Sequence, residues 1–147
     1  MTTVKMPIAL VASFLWIGFV CAISFLESWI KFKAPGITLP LGLGIGKLVF
    51  AALNRVEWVL AIAIIVNMAI VKRSLFALGN VLFFIPLVIL VLQTFWLLPV
   101  LSVRADLHIQ GQLVPPSNIH YYYVGIEFIK LIGLFIFGIS LFNKSTT

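Results

Sequence analysis

Residues 46–71 read GKLVFAALNRVEWVLAIAIIVNMAIV. As a helix rising 1.5 Å per residue this stretch reaches roughly 39 Å, more than the hydrocarbon core of a bilayer, about 30 Å. Its polar interruptions are few: Lys47, Asn54, Arg55, Glu57 and Asn67. It does not alternate with period two, so a strand does not account for it.

Three further runs have the same character, at about residues 7–30, 75–101 and 119–142. Pro7 is tolerable in a first helical turn. Pro86 predicts a kink in the third run unless neighbours satisfy the freed carbonyl. The Val71-Lys72-Arg73-Ser74 turn makes the second and third runs antiparallel neighbours. The other connections are longer. One holds Lys33-Ala34-Pro35-Gly36 and a glycine-rich stretch, Gly42 to Gly46, expected to form a tight approach to the second helix. The other runs from Arg104 to Asn118. The reading is therefore all-α: an integral membrane, antiparallel four-helix bundle built as a single domain from residues 1–147.

Composition points the same way. The chain is 63% hydrophobic and 10% charged, with a mean hydropathy of +1.21, whereas soluble domains carry about a quarter charged residues. The net charge is +6. Its basic residues flank apolar runs instead of forming a patch with interleaved aromatics, which argues against nucleic acid and for anionic lipid headgroups. The lone Cys21 permits no intrachain disulfide. The first run is longer than a signal-peptide core, so it reads as a retained helix. Lys and Arg counts on the two sides tie. Cytoplasmic termini are expected, because the cations there, Lys5, Lys72, Arg73 and Lys144, have no acidic neighbours.

All four acids, Glu27, Glu57, Asp106 and Glu127, fall on the half of the bundle away from the termini, as do His108 and His120. Glu57, Glu127 and Lys130 lie about 12–16 Å along their helices. An ionisable group at such depth costs at least about 2.5 kcal/mol, so it should face the bundle and find a partner. Helical spacing predicts four inward stripes. His120, Tyr123, Glu127 and Lys130 share one. Lys47, Asn54 and Glu57 share another, with Arg55 to one side. Glu27 and Lys31 are i,i+4 partners. Gln93, Leu97, Val100 and Arg104 align on the third helix, with His108 a turn further if that helix persists.

These stripes converge on a polar cup. Its candidate ligand-binding residues are Asn54, Arg55, Glu57, Glu127, Lys130, Glu27, Arg104 and His120. The same charges would serve equally to fix helix register. No metal is expected: a di-iron bundle needs Glu-x-x-His on two helices, and His120 and Glu127 are seven residues apart. Gly42-x-Gly44-x-Gly46 follows no strand and is not a dinucleotide fingerprint. Tyr121 to Tyr123 read as an interfacial aromatic belt.

Two resemblances arise from these residues. Pro35-Gly36, the glycine-rich run to Gly46, Leu48-Val49-Phe50, Asn54-Arg55-Val56, Arg104 and His120 resemble an uncharacterised four-helix membrane family that includes a transmembrane protein associated with platinum-drug resistance. That resemblance covers most of the chain and implies architecture only. Lys47-x-x-x-Ala51-x-x-Asn54-x-x-Glu57 is similar to the stretch opening the second helix of the MAPEG proteins, membrane enzymes of eicosanoid and glutathione metabolism. It implies that Asn54 and Glu57 contact glutathione. Phe50, however, stands where glutathione-binding members carry a second Arg.

The resulting expectation is a multi-pass membrane protein whose polar cup binds or transports a small polar or charged ligand. Its partners would be the bilayer and other membrane proteins or further copies of the chain. No cofactor can be named from the sequence. The alternatives are a MAPEG-like glutathione-dependent enzyme and a purely structural membrane subunit.

Overall fold

The computed structural model describes residues 2–71 and 81–144. Within them lie four helices, each long and apolar enough to cross a membrane: α1 (Pro7–Lys33), α2 (Leu39–Ile70), α3 (Phe84–Ile109) and α4 (Ile119–Ser140). Two short strands, β1 (Thr2–Val4) and β2 (Phe142–Lys144), pair antiparallel and clip the ends of the chain together. The Lys72–Arg73 turn and the expected start of the third helix at Leu75 lie outside the described residues.

Several helix ends differ from the expected ones. α1 continues past Ile30 to Lys33, through a widened π turn at Cys21–Glu27 and a closing 3₁₀ turn. α2 begins at Leu39, not Gly46, so the glycine-rich stretch is helix and not loop. Thr38 caps it, accepting from the Leu41 N–H at 3.4 Å, and Pro40 sits in the first turn. Glycine is a poor helix former, but here it makes room for the end of α1. A Cβ on Gly42 would lie 2.1 Å from the Phe32 ring, and one on Gly46 would lie 2.8 Å from Lys31 Nζ.

α3 runs on to Ile109 where the apolar run ends at Leu101. Hydropathy fell there, but nothing stopped the backbone until Gly111, whose φ of 73° is open to glycine. The Gly111 N–H bonds to His108 O and the Gln112 N–H to Leu107 O, a Schellman closure. α4 stops at Ser140, short of Phe142, because residues 142–144 join the strand pair.

In the packing α1 contacts α2 and α4, and α3 contacts the same two helices. Ala9 meets Asn67 and Trp16 meets Glu57, so residue numbers rise along α1 as they fall along α2. The apolar core gathers toward the terminal half, around Met6, Trp16, Ile64, Met68, Phe83, Phe137 and Leu141. Small residues bring helices close there. Gly133 lies against Pro86, where a Cβ would come within 3.2 Å of the ring, and Gly138 lies under Phe14. α1 has no cap of its own at Met6. Asn67 of α2 supplies one, its Oδ1 accepting from the Ala9 N–H at 3.0 Å. Facing outward are large apolar side chains on every helix, among them Val11, Leu48, Ile62, Phe95, Trp96 and Ile132. A water-soluble monomer rarely leaves so much apolar surface uncovered.

Candidate functional site

Midway along the four helices each contributes a buried polar group to one network. Lys130 of α4 is fully buried, and its ammonium has three acceptors: Glu57 Oε1, Gln93 Oε1 at 2.7 Å and Glu127 Oε1 at 3.2 Å. An ammonium has three protons to give, so Lys130 is saturated. Glu57 Oε1 also accepts from Trp16 Nε1 at 2.7 Å. Gln93 Nε2 donates to Glu127 Oε1 at 2.9 Å, which orients the amide with its carbonyl toward Lys130. α3 passes through a second π turn at Gln93–Leu97, where the Leu98 N–H reaches back to Gln93 O. Such turns are rare and often accompany functional groups.

Above the network, toward the α1–α2 and α3–α4 connections, the helices part around a cavity of about 650 Å³. Lys31, Lys47, Arg55 and His120 line it, along with Asn54 and Tyr123. The rest of the wall is mainly apolar, including Phe32, Leu43, Phe50, Leu98 and Leu101. None of the four acids lines it. Two of them nevertheless hold lining cations in place. Glu27 pairs with Lys31 at 3.1 Å, and Asp106 grips Lys47 with both oxygens at 2.6 and 2.8 Å. Arg55 is exposed and makes no ion pair among the described residues. Lys31 Nζ also stands 5.7 Å from the Phe50 ring, which meets Tyr123 edge-on at 5.5 Å.

The single expected cup is thus two layers. Glu57, Glu127 and Lys130 come together in the sealed network. Asn54, Arg55 and His120 border the open cavity, and Glu27 reaches it only through Lys31. Asn54 and Glu57 do not share a surface. Asn54 Nδ2 donates to Thr94 Oγ at 2.9 Å, an oxygen that Trp58 Nε1 also reaches at 3.0 Å, while Glu57 turns to Trp16 and Lys130. Arg104 lies outside both layers and donates to Pro115 O, tying down the α3–α4 connection. Among the described residues no three of His, Cys, Asp and Glu converge as metal ligands would.

Sequence reasoning missed Trp16, Thr94, Trp58 and Ser24. Trp16 and Trp58 look like ordinary membrane aromatics, and only an N–H with a buried acceptor separates them from that. Thr94 is next to Gln93, and its hydroxyl also returns to Leu90 O at 2.7 Å, a habit of helical Thr that masks its outward role. Lys47 was seen, but its partner Asp106 lies 59 residues away.

The chain matches no protein-family model, no curated protein and no solved structure.

Proposed function

We propose that the chain is a multi-pass integral membrane protein, an antiparallel four-helix bundle forming one domain, with its termini on the cytoplasmic side. Its cavity binds an amphiphile with an anionic head and an apolar tail. One observation carries this reading: every charged side chain lining the cavity is a cation, while most of the remaining wall is apolar. A volume of about 650 Å³ is that of a site for a small organic molecule. Arg55, with no ion-pair partner among the described residues, is the residue that would take a carboxylate or phosphate head, and a guanidinium suits both. His120 and Lys47 line the same cavity. The buried network ties the four helices together through Trp16, Glu57, Gln93 and Lys130.

The anionic head could belong to a free fatty acid or to a phospholipid. Two measurements on the purified protein distinguish them: titration with oleate in neutral detergent, and native mass spectrometry from nanodiscs of phosphatidylglycerol or of phosphatidylcholine. Saturable oleate binding that weakens about tenfold or more in Arg55→Ala supports the carboxylate source, since a hydrogen bond to a charged group is worth roughly 1.5–3 kcal/mol. Retention of phosphatidylglycerol over phosphatidylcholine, lost in the same variant, supports the lipid. No binding in either arm removes the proposal and leaves the structural-subunit reading.

A glutathione-dependent enzyme is the second reading, favoured by Asn54 and Lys47 lining the same cavity. Micromolar glutathione binding that disappears in Asn54→Ala would establish it.

A further inference from the structure

The buried network contains one more acid than it has cations. Glu57 and Glu127 are 1% and 0% exposed, and among the described residues Lys130, also at 0%, is the one cation that touches them. Among the described residues the groups packed around the pair supply no other counter-charge. From α1 come Trp16 and Ser24, neither of which titrates; Glu27 and Lys31, further along, satisfy each other. α3 contributes Gln93. α4 contributes Tyr123 and Lys130, while His120 is exposed at the cavity. Lys47 of α2 is held by Asp106, and Arg55 is exposed. With both carboxylates ionised, the bundle would hold a naked negative charge at membrane depth, the arrangement such interiors tolerate least.

A second, independent observation marks where the difference is made up. Glu127 Oε1 accepts from Gln93 and Lys130, but Glu127 Oε2 is buried with no partner at all. Among the described residues Ser24 Oγ is the other buried side-chain atom left without one. Tyr123 stands one turn before Glu127 on the same face of α4. A proton on Glu127 Oε2 removes the charge from a buried oxygen that no donor meets. Tyr123 is only 3% exposed, yet it also lines the cavity.

We propose that the Glu57–Glu127 pair binds one proton, seated on Glu127 Oε2, and exchanges it with the cavity through the Tyr123 hydroxyl. In loading, a proton from water in the cavity joins the Tyr123 oxygen as that hydroxyl's own proton passes to Glu127 Oε2. Tyrosine ends neutral, the network ends with one carboxylate against one ammonium, and release is the reverse. This proton site does not depend on the anionic ligand proposed for the cavity.

Infrared spectroscopy of the full chain in nanodiscs at neutral pH counts the proton directly. The wild type should show a protonated-carboxyl C=O band that shifts in D₂O. Glu127→Gln should lose it. Glu57→Gln should lose it too, because one acid then balances one lysine. Lys130→Met should strengthen it, since two acids then face no cation; should that variant fail to fold, the two glutamine variants decide alone. A wild type without the band, or a band unchanged in both glutamine variants, overturns the proposal. So does a melting temperature that rises with Na⁺ or K⁺ at constant ionic strength and loses that response in Glu127→Gln, which would assign the site to a metal cation. Tyr123→Phe should keep the band while slowing its shift into D₂O about a hundredfold. An unchanged exchange rate there would overturn the tyrosine route.

Discussion

Lys130 of α4 and Glu57 of α2 meet between the helices, 73 residues apart in sequence and both sealed from solvent. Neither helix touches the other extensively; their principal neighbours are α1 and α3. The ion pair therefore spans the diagonal, and Trp16 and Gln93 reach it from the two remaining corners.

Removing Lys130 alone leaves two buried carboxylates without a cation. Lys130→Met should cost about 3–5 kcal/mol of stability. Adding Glu57→Gln should recover much of it. Thermal unfolding in detergent across this mutant cycle checks the coupling, and a fully stable Lys130→Met protein would remove the buried pair from the account of the fold.

Trp16→Phe keeps the aromatic packing against Phe83, 6.5 Å away between ring centres, but deletes the N–H that reaches Glu57. A loss of about 1–3 kcal/mol is expected for stranding a buried charged acceptor. In Glu57→Gln the same Trp16→Phe change should cost less, because the acceptor is then uncharged. Equal costs in both backgrounds would assign the effect to packing.

Asn67 serves a helix to which it does not belong. Asn67→Ala should strand the Ala9 N–H inside the bundle and cost about 1–2 kcal/mol, the range for losing a cap. Hydrogen exchange read by mass spectrometry should localise the loosening to the first turn of α1. Loosening spread evenly over the chain would contradict the cap.

Gly133 sets the distance between α3 and α4 at Pro86. Gly133→Leu should overpack that crossing and destabilise by about 1–3 kcal/mol. Gly125, with open space around its Cβ position, is the control, and Gly125→Ala should be silent or stabilising. Parallel melting curves would decide it.

The Lys47–Asp106 pair is short but its side chains are 38% and 43% exposed. Lys47→Met should therefore change stability by no more than about 1 kcal/mol. A cost as large as that of Lys130→Met would show the pair to be far better shielded than its exposure implies.

The sequence by itself determined the four long apolar helices, the gathering of all four acids in one half, and the need of Glu57, Glu127 and Lys130 for partners. Length, hydropathy and the cost of a charge in hydrocarbon are local properties, and they are written in the order of residues. Only the tertiary structure decided which partners were taken. One turn of α2 carries Asn54 to Thr94 and the next carries Glu57 to Trp16, a division set by how far each neighbouring helix is rotated, which no spacing along α2 contains. The helix ends obeyed the same division. The glycine-rich stretch before Gly46 is helical from the Thr38 cap onward, with Gly42 and Gly46 leaving room for Phe32 and Lys31, and α3 outlasts its apolar stretch because its backbone stops only at Gly111. An extra carboxylate in the core is countable in the sequence, but its unpartnered oxygen is visible only where the four helices close around it.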